Sequence, residues 1–109
     1  MQWLDLLSYF FGGAFLANAV PHCVSGVRGE AFQTPFARPR GEGLSSSTVN
    51  VVWGFFNLLV AYLLLGRVGE FDLKPTSHLL ALGLGALLMS LFMARHFGRF
   101  HGGNTSQPS

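Results

Sequence analysis

The sequence predicts an all-α membrane protein with three transmembrane helices and a Gly/Pro-rich loop between the first two. Composition is the first observation. Half of the 109 residues are apolar, 11% are charged and the mean hydropathy is +0.40, which leaves too little polar surface to clothe a water-soluble domain of this size. The second is the presence of three apolar stretches, Trp3 to Val20, Val49 to Gly66 and Leu79 to Ala94. Each is close to the roughly 20 residues that an α-helix needs to cross a hydrocarbon layer about 30 Å thick. The third is punctuation, because most of the charged residues and a cluster of helix-capping hydroxyls fall between these stretches.

The first stretch carries Asp5 and no Lys or Arg among its five leading residues. An export signal requires a positive start, so the Ala17-Asn18-Ala19 run is not expected to be a cleavage site, and the stretch is expected to stay as a helix. Pro21 lacks the N–H that would bond to the Ala17 carbonyl, so the helix either ends, covering residues 3–20, or kinks and covers 3–27. Ser25 to Ser47 holds five Gly/Pro positions and four charges between Gly29 and Gly43 and is expected to be an irregular, water-exposed loop. Ser45, Ser46, Ser47 and Thr48 suit an N-cap, which starts the second helix near Val49 and carries it over 49–66. After a short polar link, Thr76 or Ser77 can cap a third helix over 78–97. The sequence therefore divides into a membrane domain, 1–97, and a flexible tail, 98–109, rich in Gly, His, Asn, Thr and Ser.

Three crossings put the first loop and the C-terminal end on one side, where five of the seven Lys/Arg residues lie: Arg28, Arg38, Arg40, Arg95 and Arg99. Arg67 and Lys74 lie on the other side. The positive-inside rule then sets the N-terminus outside and the C-terminus in the cytoplasm.

Helices in lipid associate through close approach of small residues and through interhelical hydrogen bonds. On the first helix Tyr9, Gly13 and Ala17 form such a stripe, and on the third Gly83, Ala86, Ser90 and Ala94 do. The second helix is more specific. Asn50, Trp53, Gly54, Asn57 and Ala61 recur at three- and four-residue steps, placing two amides and an indole on one face. Amides in hydrocarbon require partners, and Asn18 or Ser90 are the candidates for Asn57. The helix-packing or polar-path candidates are thus Asn18, His22, Asn50, Trp53, Asn57, Gly83 and Ser90. Arg38 and Arg40, beside the membrane, are candidates for anionic lipid head groups.

Other chemistry is thin. Cys23 is the single cysteine, which excludes an intramolecular disulfide. His22 and Cys23, being adjacent, point about 100° apart on a helix with no acidic partner at helical spacing. His96 and His101, five apart, do not share one helical face. No Gly-x-Ser-x-Gly elbow, phosphate-binding loop or spaced metal-ligand set is present, and the dispersed net charge of +2 does not form a nucleic-acid surface. No catalytic residue, cofactor, metal or nucleic-acid partner is expected. The expected partners are the lipid bilayer and a second copy or another membrane protein.

The run Asn18-Ala-Val-Pro-His22, Gly26, Gly29, Phe32-Gln-Thr-Pro-Phe36, Gly43-Leu-Ser-Ser-Ser47 and Asn50 to Asn57 resembles a group of small bacterial membrane proteins of unassigned function, over about half of the chain. The resemblance implies a bacterial inner membrane and brings no substrate or cofactor. The leading expectation is a non-enzymatic structural or accessory component of a membrane assembly, and the alternative is a small oligomeric transporter or channel subunit.

Overall fold

The computed structural model describes residues 2–105. Its elements in chain order are helix α1 (Gln2–Val27), strands β1 (Phe32–Gln33) and β2 (Leu44–Ser45), helix α2 (Ser47–Gly66) and helix α3 (Thr76–His101). The fold is all-helical apart from that two-residue ladder, and its three helices are long and apolar enough to cross a membrane. With 26, 20 and 26 residues they measure about 39, 30 and 39 Å, against an overall extent of 44 × 33 × 23 Å.

α1 takes the longer of its two expected courses and continues through Pro21 to Val27. Packing holds the segment after the proline. Gly26 lies against Val51 and the Ser47 carbonyl of α2, and His22 is buried in a hydrogen bond, so tertiary contacts offset the backbone bond that Pro21 cannot make. α2 begins two residues before Val49, because the Ser46 hydroxyl accepts from the Val49 N–H at 3.2 Å.

α3 departs from expectation at both ends. Its N-cap is Pro75, with no side-chain cap bond, while Thr76 and Ser77 sit inside the helix. The link is ordered by Asp72 instead, whose N–H donates to His78 Nδ1 and whose carboxylate accepts from the Lys74 N–H. At the other end the helix runs past residue 97 to His101. It closes on Gly102 at φ 76°, a left-handed cap natural to glycine, and on Asn104, whose amide donates to the Arg95 carbonyl. The first residues of the expected tail are thus helical or turned, and the remainder of that segment, 106–109, lies outside the described residues.

α1 packs along both α2 and α3, which scarcely touch each other. The α1–α3 crossing is reciprocal: Gly13 meets the Leu82 carbonyl and Gly85 meets the Phe10 carbonyl, each too close for a Cβ. Gly85 takes the role expected of Gly83, which has nothing within 4 Å of the position its Cβ would occupy. Two residues along a helix is roughly 200° around it, so the two glycines face opposite ways. Of the expected α3 stripe, only Ala86 reaches the crossing, while Ser90 and Ala94 are exposed. On the other side of α1, Gly54 of α2 rests on Cys23 and the Ala19 carbonyl. Leu59 and Tyr62 of α2 and Leu80, Leu84, Leu87 and Leu91 of α3 face outward, as lipid-covered residues must.

The segment joining α1 and α2, expected to be irregular and water-exposed, is folded. Phe32 and Gln33 pair with Ser45 and Leu44. The Thr34 N–H donates to the Gly43 carbonyl at 3.3 Å, and the Gly41 N–H donates to the Thr34 carbonyl at 3.0 Å. Gln33 and Thr34 are buried, which an extended loop in water could not achieve. The fold back onto the helix ends satisfies their backbone groups within the protein.

Candidate functional site

The amides of α2 define two polar layers against α1. Asn57 is fully buried; its Oδ1 accepts from Asn18 Nδ2 at 2.9 Å and its own Nδ2 donates to the Trp53 carbonyl, one turn back, at 2.8 Å. Of the two expected partners, Asn18 is the one in reach, and Ser90 is turned away. The bond ties α1 to α2 where lipid offers neither amide an alternative.

The second layer is richer. Asn50, also fully buried, lies near the start of α2 and directs Nδ2 at the carbonyls of Phe32, Ser45 and Ser46, at 3.2, 3.1 and 3.0 Å. Three acceptors fix which end of the amide is the donor, so Oδ1 is left to accept. It sits 2.7 Å from Nδ1 of His22, a residue 2% exposed. His22 therefore carries its proton on Nδ1 and presents Nε2 as a lone pair.

His96 resolves in the same way. Arg99 donates to its Nδ1 at 3.1 Å, so Nε2–H donates to the Gly41 carbonyl at 2.6 Å. His101 Nε2 donates to Gln33 Oε1 at 2.9 Å while its ring stacks on Phe32 at 5.1 Å. Both histidines thus pin the loop to the end of α3. Phe97 closes the cluster, edge-on to Phe32 and His22 at 4.7 and 6.2 Å.

Between this loop and the three helices lies a cavity of about 310 Å³. Asn18 and His22 line it from α1, Trp53 from α2, Phe92 and His96 from α3, and Thr34 and Arg40 from the loop. Trp53 Nε1 is a buried donor with no acceptor among the described residues, whereas the Trp53 ring is fully engaged, stacked on Phe56 at 5.6 Å and edge-on to Phe36 at 4.9 Å. Four of the expected residues, Asn18, His22, Trp53 and Arg40, thus meet at one cavity, with Asn50 and Asn57 directly behind. Gly83, Ser90 and Arg38 do not line it.

Sequence reasoning missed His96, Gln33, Thr34 and Phe97. One signal was available: Phe32 is a large apolar residue in a segment read as water-borne, and such residues seek cover. At the opposite end of the bundle, Tyr9 is fully buried, donates to the Val68 carbonyl at 3.1 Å and contacts the rings of Phe71 and His78. His78 is therefore far from His22, and among the described residues no three His, Cys, Asp or Glu side chains gather as a metal site.

These features define an all-helical protein with three helices able to span a membrane, whose buried amides join α1 to α2 and whose first loop is folded over one end. Comparison with protein-family models, with curated proteins and with solved structures finds no match.

Proposed function

We propose that this chain is a multi-pass protein of a bacterial inner membrane that serves as a non-catalytic accessory component of a membrane assembly, with its N-terminus outside and its C-terminus cytoplasmic. The observation that carries the reading is a division of labour. The amides within the bundle satisfy one another and the backbone, while the small residues Gly83, Ser90 and Ala94 of α3 are left uncovered by this chain. Close approach through such residues is how helices associate in lipid, so α3 is the face offered to another helix.

Orientation follows from charge at the two ends of the bundle. The loop and the C-terminal end hold five basic and two acidic residues, and the opposite end two basic and three acidic. The resemblance to small bacterial membrane proteins supports the compartment.

Native mass spectrometry of the gently solubilised protein tests the role. A stoichiometric second protein, lost on Gly83→Leu with the subunit still folded, is the expected result. Loss of no partner, together with ion or solute flux in proteoliposomes, would replace this reading with the channel.

A further inference from the structure

We propose that the cavity beneath the loop binds the hydroxyl-bearing ring of a neutral, membrane-soluble amphiphile of the quinol class, with the ligand hydroxyl donating to His22 Nε2 and Trp53 forming a wall beside it. This binding site is independent of the accessory role.

One unmatched group specifies the ligand atom. His22 carries a lone pair on Nε2, because Asn50 has fixed its proton on Nδ1. An unmade hydrogen bond at a buried group costs about 1–3 kcal/mol, and Trp53 walls the cavity beside His22. The two rings are 6.3 Å apart, centroid to centroid. A hydroxyl has one hydrogen to give, which matches that lone pair. A phosphate or carboxylate oxygen has no hydrogen for His22 and would meet its lone pair unfavourably.

The remaining volume selects what is attached to that hydroxyl. Water alone is a poor occupant: 310 Å³ corresponds to about ten molecules at roughly 30 Å³ each, and each needs two to four polar partners. Pro35, Phe92 and Phe97 supply none, but they do supply flat apolar walls suited to a ring. The size falls at the lower end of the roughly 300–1,000 Å³ typical of small-molecule sites. Because α2 and α3 scarcely touch, the cleft between them is the route by which an apolar tail leaves for the bilayer. Arg40, exposed on the loop, also lines the cavity.

The test uses the full chain in phosphatidylcholine nanodiscs with Trp3→Phe, which leaves Trp53 as the reporter. Decylubiquinol under argon is expected to quench Trp53 fluorescence saturably, while decylbenzene, which lacks the hydroxyl, does not displace it. His22→Phe removes the acceptor and is expected to weaken binding about tenfold, as one lost hydrogen bond does. Should His22→Phe perturb folding, Pro35→Phe fills the cavity from the exposed loop and is expected to abolish saturation with the fold intact. Quenching that rises linearly with quinol, or that neither variant alters, would overturn the proposal. So would displacement of the quinol by dioleoylphosphatidic acid at equal concentration, which would make the cavity a phosphate site.

Discussion

Asn50 holds the His22 imidazole at 2.7 Å through Oδ1 while its amide hydrogens reach the carbonyls of Phe32, Ser45 and Ser46. A single side chain on α2 thereby couples the part of α1 beyond its proline, both strands of the loop and the start of its own helix. The orientation of the amide, the His22 tautomer and the path of the loop are one arrangement.

Asn50→Leu is therefore expected to destabilise the protein more than Asn57→Leu does. The first removes every side-chain bond of Asn50 and takes a donor from the Phe32 and Ser45 carbonyls and the acceptor from His22 Nδ1–H, while the Ser46 carbonyl keeps the backbone N–H of residue 50, at a total of about 2–4 kcal/mol. The second removes one interhelical bond, worth about 0.6–2 kcal/mol in a membrane. Asn50→Asp, equal in size, should also be damaging, because it turns a carboxylate toward the same carbonyl oxygens. Unfolding in mixed detergent and dodecyl sulfate micelles ranks the three; equal losses for Asn50→Leu and Asn57→Leu would remove the coupling role.

At the α1–α3 crossing, Gly85→Leu is expected to separate the helices, because any side chain there overlaps the Phe10 carbonyl. Gly83→Leu enters open space and should leave the fold of the isolated subunit unchanged, within about 0.5 kcal/mol. The same pair of substitutions tests the proposed partner face, where the order is reversed: Gly83→Leu breaks the complex with the subunit folded. A shift in unfolding midpoint for Gly83→Leu as large as that for Gly85→Leu would contradict the crossing.

The three helices were legible because hydropathy and length alone decide which segments can satisfy their backbones in lipid. The amide stripe of α2 was legible for a related reason: the spacing of Asn50, Asn57 and Ala61 is a property of one helix. What spacing within a helix cannot give is the rotation of one helix about another, which is why Gly85 rather than Gly83 meets α1. The loop was misread because its Gly, Pro and charged residues are the signature of exposed turns. Its fold depends instead on Asn50, His96 and His101, at sequence separations of 18, 55 and 68 residues, which no local pattern reports.

The loop supplies its own probe. Trypsin does not cut before proline, so Arg38 is protected by Pro39, and of the two remaining loop sites, Arg28–Gly29 and Arg40–Gly41, the second lies in the folded part. The Gly41 carbonyl at that bond is held by His96. Cleavage requires local opening, so His96→Ala should raise its rate about tenfold, and adding His101→Ala should raise it further. In sealed vesicles of known sidedness the same assay reads orientation: cleavage confined to inverted vesicles is expected, and cleavage confined to right-side-out vesicles would reverse the proposed topology.

Tyr9→Phe probes the opposite end. It keeps the packing against Phe71 and His78 and deletes only the hydroxyl bonded to the Val68 carbonyl, so the expected loss is about 1 kcal/mol. Combined with Asn50→Leu, it should add, because the two sites share no partner and lie near opposite ends of the bundle. Asn18→Ala and Asn57→Ala should not add. Once either amide is gone their mutual bond is already lost, so the second substitution removes no further interhelical hydrogen bond, and the pair should show a coupling of about 0.6–2 kcal/mol. Strict additivity of Asn18→Ala and Asn57→Ala in the unfolding free energy would mean that the 2.9 Å contact contributes nothing in lipid, and that the His22–Asn50 bond and close packing at Gly26 and Gly54 join α1 to α2 without it.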